Sequence, residues 1–181
     1  MLTALKIMDI ARNVLRTYFT DTSFPLIQHH VDSFNDMIDV SIPTFVKVSN
    51  PIELELVETD AKRRFIRVYV GGRDGDKLKF LSPTEEDGTA TLPHACRLDN
   101  RSYALSLRAD IDVDFVFVDG DKETKESKTF SDVLIGRIPL MLRSKLCYLT
   151  SLDGYELGEC KFELGGYFII DGAVKVLMTQ E

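Results

Sequence analysis

Residues 159–181 read ECKFELGGYFIIDGAVKVLMTQE, and at their centre two short apolar runs flank a tight turn. Tyr167 to Ile170 is aromatic and β-branched, the composition strands prefer. Asp171-Gly172 supplies the positive φ that a two-residue hairpin turn requires. On the return run Val174, Val176 and Met178 share one face, with Lys175 and Leu177 on the other. Gly165-Gly166 lets the chain enter at a backbone angle that other residues resist. The stretch predicts a β-hairpin.

Upstream, Tyr103 to Val118 carries the strongest strand signal. Ala109, Ile111, Val113, Phe115 and Phe117 alternate with Asp110, Asp112 and Asp114, so one face is apolar and the other acidic. Successive carboxylates on one face stand about 6.5–7 Å apart. Without converging ligands that pattern predicts a solvated face rather than a metal site. Ile52 to Leu56 also alternates, Phe65 to Val70 is a second candidate strand, and Gly71-Gly72 with Asp74-Gly75 marks its end and a turn. Residues 82–91 read as a loop. Residues 119–132 are polar and of mixed charge and predict a mobile tip. Val133 to Leu142 is apolar and short enough for a buried strand, with Pro139 at its edge or a bulge. Leu152 to Glu159 reads as a polar connector turning at Asp153-Gly154.

The N-terminal part has a different period. Ile7, Ile10, Ala11, Val14, Leu15, Tyr18 and Phe19 recur every three or four residues, which predicts an amphipathic helix over 3–20. A second helix is expected from about Ser23, with Pro25 in its first turn and a stripe of Ile27, Val31, Phe34 and Ile38. Pro43 and Asn50-Pro51 should break it.

The chain has 181 residues, enough for one domain with a real core. It holds no run of about 18 apolar residues, so no membrane span is expected, and residues 1–6 lack the pattern of a secretory signal. Its net charge of −7 argues against free-standing nucleic-acid binding, which favours basic domains. Cys96, Cys147 and Cys160 are scattered, so a zinc site is not expected and all three read as buried small side chains in a reducing compartment. His94 has no partner spaced to make it a catalytic base. Gly71-Gly72 beside Arg73 lacks the phosphate-loop pattern and reads as a turn. An independent hydrolase or nucleotide-binding enzyme thus has no residues behind it.

The wording of two blocks goes further. Residues 165–181, GGYFIIDGAVKVLMTQE, resemble GGYFIINGSEKVLIAQE of the second-largest subunit of the multisubunit DNA-dependent RNA polymerases. Ile135 to Leu149, IGRIPLMLRSKLCYL, resembles the same family's IGRIPIMLRSKxCxL, in the same order. Val31 to Asn35 and Leu92 to Leu98 agree more loosely, the second with PxEARLRNxTY, where Cys96 and Asp99 depart. Ala173 and Val174 stand where the family carries Ser or Thr and Glu. The RSK wording is nearer to eukaryotic nuclear and large-DNA-virus enzymes than to bacterial ones, which implies a nuclear location, or a cytoplasmic or virion one if viral.

The resemblance implies an N-terminal, protrusion-like portion of that subunit. The expected fold class is α+β: an N-terminal helical hairpin packed on a mainly antiparallel sheet. Residues 1–50 form the helical entry, and 51–181 a β-rich region incomplete at its C-terminus. It also implies a hairpin directed toward the channel of the RNA–DNA hybrid. Lys175 and Gln180 match the family's basic and glutamine positions there, and Arg143 and Lys145 its RSK element. These four are the expected nucleic-acid-binding residues, acting on phosphates without reading sequence; surface or internally paired charges are the alternative for each. The expected partners are template DNA, the hybrid, the largest subunit, the remainder of the same subunit and, further out, initiation factors. No cofactor is expected in this segment; magnesium belongs to the partner subunit, and no catalytic residue is assigned here. The second reading is a stand-alone, non-catalytic interaction module derived from the protrusion.

Overall fold

The computed structural model describes residues 4–21, 24–59, 62–85, 87–119, 122–152, 157–160 and 162–178. Helix α1 spans Ala4–Asp21, as its periodicity predicts. Helix α2 spans Gln28–Asp36, passes through a π-helical turn at Met37–Ser41, and continues as α3 over Ile42–Ser49. This corrects two expectations. Pro25 lies in the turn before α2, where the Phe24 carbonyl accepts bonds from the Ile27 and Gln28 amides. Pro43 does not break the helix, because it sits in the first turn of α3. The wider turn, in which the Ile42 amide bonds the Met37 carbonyl, absorbs the amide that proline lacks.

Strands β1 (Ile52–Thr59), β2 (Lys62–Val70) and β3 (Leu78–Leu81) precede the short helix α4 (Pro93–Leu98). The long strands β4 (Ala104–Asp119) and β5 (Lys122–Pro139) follow, then a helical turn α5 (Tyr148–Ser151) and the hairpin β6 (Phe168–Ile170) and β7 (Ala173–Lys175). All pairings are antiparallel, so the α+β class with a mainly antiparallel sheet is what forms. β4 is its axis. One edge pairs with β5 along nearly its whole length; the other takes β3 on its first half and β2 on its second. β1 extends the sheet beyond β2. The Gly71–Lys77 excursion separates β2 from β3, and positive φ at Gly71, Gly72 and Gly75 lets it double back.

Residues 122–132, expected as a mobile loop, belong to β5. Their polar side chains face solvent, but their backbone pairs with β4 from Asp119↔Lys122 onward. A bulge at Asp132, with φ 55°, restores register toward the apolar end. Polarity signalled exposure there, not irregular backbone.

The core lies at the base of β4. Val31, Phe34 and Ile38 of the α2 layer pack with Tyr103, Leu105, Leu140, Leu142, Leu149 and Ile169, and the Phe34 and Phe168 rings meet edge to face at 5.7 Å. α1 takes no part in it. Its predicted stripe is exposed, Val14 to 63%, so the covering layer is α2 and its continuation rather than a two-helix hairpin. Cys96 and Cys147 are buried as expected, but Cys160 is exposed. Asp153-Gly154 lies outside the described residues.

The acidic face of β4 also departs from expectation. Asp114 is fully buried. Its carboxylate accepts bonds from Ser127 (2.6 Å) and Arg73 (2.9 Å) and pairs with Lys125 (3.0 Å). Asp112 accepts from the Thr129 hydroxyl and Asp110 from the Asp132 amide. The three aspartates accept bonds from β5 and, through Arg73, from the Gly71–Lys77 excursion; Asp114 does so out of solvent, while Asp110 and Asp112 stay partly exposed.

Candidate nucleic-acid interface

The two diagnostic blocks are one structural unit. The Leu142 amide donates to the Tyr167 carbonyl (2.9 Å), and the Gly166 amide returns a bond to the Leu142 carbonyl (3.0 Å). The next pairing is Tyr103 amide to Ile169 carbonyl (3.0 Å). β6 is thereby held between the start of β4 and the chain that leaves β5. Its turn has φ 50° at Asp171 and 72° at Gly172, the two positive values of a type I′ hairpin. The turn is pinned to the α4–β4 connection: the Gly172 amide bonds the Arg101 carbonyl, and the Asp171 amide and carboxylate both engage Ser102.

A second clamp holds the entry to the hairpin. The Arg97 guanidinium of α4 pairs with the buried carboxylate of Glu159 and donates to the Tyr167 hydroxyl (2.6 Å). Burial pushes the Tyr167 phenol up to about 12 against the pull of Arg97. Arg97 and Glu159 were not among the expected site residues. The LPHACRL wording was the signal that Arg97 matters; nothing in the sequence paired it with Glu159, 62 residues away.

The expected basic residues have distinct settings. Arg143 has φ 68°, and its guanidinium is turned inward. It donates to the carbonyls of Leu149 (2.6 Å) and Glu163 (3.2 Å) and stacks over the Phe24 ring at 5.0 Å. Lys145 is exposed, its amide bonded to Asn35 and its ammonium 3.0 Å from both carboxylate oxygens of Asp39. The DSFN and RSK blocks therefore meet at that residue. Lys175 lies on exposed β7, opposite Phe168. Gln180 lies outside the described residues. The structure thus gathers Arg143 and Lys145 in one loop against β6, with Lys175 on the hairpin's outer strand. Val174, Val176 and Met178 are exposed beside it.

Between the Phe34–Ile38 layer and this loop lies a cavity of about 210 Å³, lined by Phe34, Ile38, Phe80 and Leu146 with Asn35, Asp39 and Lys145 at its polar side. Among the described residues no cluster of His, Cys, Asp or Glu could hold a metal ion, and no helix is long and apolar enough to cross a membrane.

Residues 25–181 match the family model of the RNA polymerase beta subunit. The chain is 36% identical over 186 residues to DNA-directed RNA polymerase II subunit 2 of Arabidopsis thaliana, covering 93% of this chain and 15% of that protein. It is 37% identical over 163 residues to DNA-directed RNA polymerase III subunit RPC2 of Drosophila melanogaster, covering 86% and 13%. It is 33% identical over 165 residues to the archaeal DNA-directed RNA polymerase subunit Rpo2N of Methanothermobacter thermautotrophicus, covering 87% and 28%. The chain spans less than a third of the length of each of these relatives. Matched from just after α1 to its last residue, it belongs to the RNA polymerase beta subunit family, as an N-terminal region of the second-largest subunit.

Proposed function

We propose that the chain serves DNA-directed RNA synthesis as a structural wall of the polymerase, guiding nucleic acid and scaffolding the subunit without carrying the chemistry. The observation that supports this is the mutual clamp of Leu142 with Tyr167 and Gly166. It fixes the exposed lysine of β7 relative to the Arg143–Lys145 loop, so that cationic groups stand on a rigid base. Lysines so placed neutralise phosphates and carry no sequence information. Arg143, bonded to two carbonyls, holds the loop; Lys175 is open to a phosphate, and exposed Lys145 reaches one by exchanging Asp39 for it.

The aspartates of β4 do not fit the magnesium ions of nucleotidyl transfer. Each is held by neighbouring donors, and Asp114 is ringed by two cations and a hydroxyl. In this reading the metal chemistry belongs to the largest subunit, and the complex acts in the nucleus. The net charge of −7 fits a piece whose outer faces meet other proteins and whose channel side is only locally basic.

A chimera tests the reading. Residues 25–181 replace the matching segment of a related second-largest subunit, and the assembled enzyme is assayed for DNA-directed RNA synthesis. Synthesis above that of the segment-deleted enzyme is expected. An enzyme that assembles but is as inactive as the deletion would contradict the proposal.

A further inference from the structure

Lys175 stands on a strand with little to hold it. β7 is three residues long, exposed throughout, and among the described residues pairs only with β6. The ladder has three residue pairs, from Phe168↔Lys175 to Ile170↔Ala173. A two-stranded ribbon so short does not fix its own geometry in water. β6 is held by the core, but the direction in which β7 leaves it is set at the Asp171-Gly172 turn.

That turn is gripped from outside the hairpin. The Arg101 carbonyl, on the connection between α4 and β4, accepts from the Gly172 amide (3.0 Å). The Ser102 hydroxyl accepts from the Asp171 amide (3.0 Å) and donates to the Asp171 carboxylate (3.1 Å). The connection is itself anchored on both sides of Ser102. The Arg101 guanidinium pairs with Glu85 and Asp99. Tyr103 is buried, with its amide on the Ile169 carbonyl. Ser102 therefore offers its hydroxyl from a fixed point.

The joint is also close-fitting. A Cβ on Gly172 would stand 2.8 Å from Asn100 Oδ1 and 2.9 Å from Asn100 Cα. Asn100 and Asp171 both have left-handed backbone, with φ of 53° and 50°. Non-glycine residues in that region cost free energy and persist where their surroundings impose them. Ser102 is exposed and has no part in the core, so its side chain serves the turn alone. Its removal deletes both bonds to Asp171 and leaves the backbone bond from Gly172.

We propose that Ser102 is a positioning residue for Lys175: its two bonds to Asp171 set the direction of β7 and so hold the ammonium toward a phosphate. The proposal rests on the reading of Lys175 as a phosphate-binding residue. Ser102 acts only through the turn.

Four assembled polymerases test this: wild type, Ser102→Ala, Lys175→Ala and the double variant. Each is titrated with the same RNA–DNA hybrid scaffold across a series of salt concentrations. With Lys175 present, Ser102→Ala should weaken binding about threefold and lower the magnitude of the slope of log affinity against log salt. In the Lys175→Ala background it should change neither, because the two residues act as a unit. Ser102→Thr, which keeps the hydroxyl, should restore both. The positioning role alone is overturned by an equal loss in both backgrounds, by no recovery with Ser102→Thr, or by a harmless Ser102→Ala where Lys175→Ala weakens binding. A Lys175→Ala enzyme that binds like wild type would overturn the phosphate reading of Lys175, and the proposal with it. Thermal melting of the 181-residue chain carrying Ser102→Ala confirms that the exposed substitution leaves folding intact.

Discussion

Arg143 fills the space that a side chain at residue 165 would need. A Cβ on Gly165 would overlap the Arg143 Cγ and stand 2.8 Å from the Leu142 carbonyl oxygen. Gly165 of one diagnostic block is therefore required by the arginine of the other, 22 residues away in the chain.

Gly165→Ala meets both that overlap and a φ of 80°, and should destabilise the chain by about 1–3 kcal/mol. Gly88 has an equally positive φ but open space around it, so Gly88→Ala should lose only the backbone part, about 1 kcal/mol. Denaturant midpoints of the two variants separate steric overlap from strain. Equal losses would show that Arg143 yields freely.

Removing Asp39 should release Lys145 from the only carboxylate it pairs with among the described residues. The pair is exposed, so Asp39→Asn should change folding stability by less than about 1 kcal/mol. If Lys145 meets phosphate, the same variant should bind nucleic acid more tightly in the assembled enzyme, and Lys145→Ala more weakly. Filter binding of both variants against wild type reads this directly.

Asp114 links acid sensitivity to the sheet. The Ser127 hydroxyl, with Lys125 and Arg73, holds its carboxyl below the ordinary range against the cost of burial. A carboxyl with a depressed folded pKa stabilises above its unfolded value near 3.9. That stability is lost as pH falls through the lower folded value. The melting temperature should therefore drop below about pH 4. Asp114→Asn should cost about 1–3 kcal/mol near neutrality and lose less on acidification. Thermal melts from pH 7 to pH 3 test both.

Tyr167 acts at the other end of the scale. Its phenol is pushed up to about 12 by burial, so the folded state keeps its proton after the unfolded chain, near 10, has lost it. The stability this gives is complete below pH 10 and lost as pH rises toward 12. Tyr167→Phe should remove the bond from Arg97 and flatten the alkaline part of the melting profile. Tyr103, also raised by burial, should retain its own share.

The hairpin, the alternation of β4 and the glycine turn after β2 were legible because turn chemistry and period two are local. Helix α1 was legible for the same reason, but its partner was not: a stripe such as Val14 and Tyr18 predicts burial only if something lies against it. The acidic row misled because Asp114 is satisfied by Arg73 and Lys125, which reach it from 41 residues before and 11 after. Exposure was assigned to the acidic face, yet Asp114 on it is buried while Phe117 on the apolar face is exposed. At the candidate interface the residue types were readable in the sequence. The inward turn of Arg143 was not, since it depends on Leu149, Glu163 and Phe24 folding around it.

Lys175 gives the most direct test of a wall that guides nucleic acid. The assembled polymerase carrying Lys175→Ala is compared with wild type for nucleic-acid affinity across a series of salt concentrations. One lost phosphate contact should weaken binding on every sequence and reduce the magnitude of the slope of log affinity against log salt by about 1. The melting temperature of the 181-residue chain should not move, because the side chain is exposed. An unchanged affinity and slope would contradict the account, leaving β7 as a surface strand with no part in holding nucleic acid.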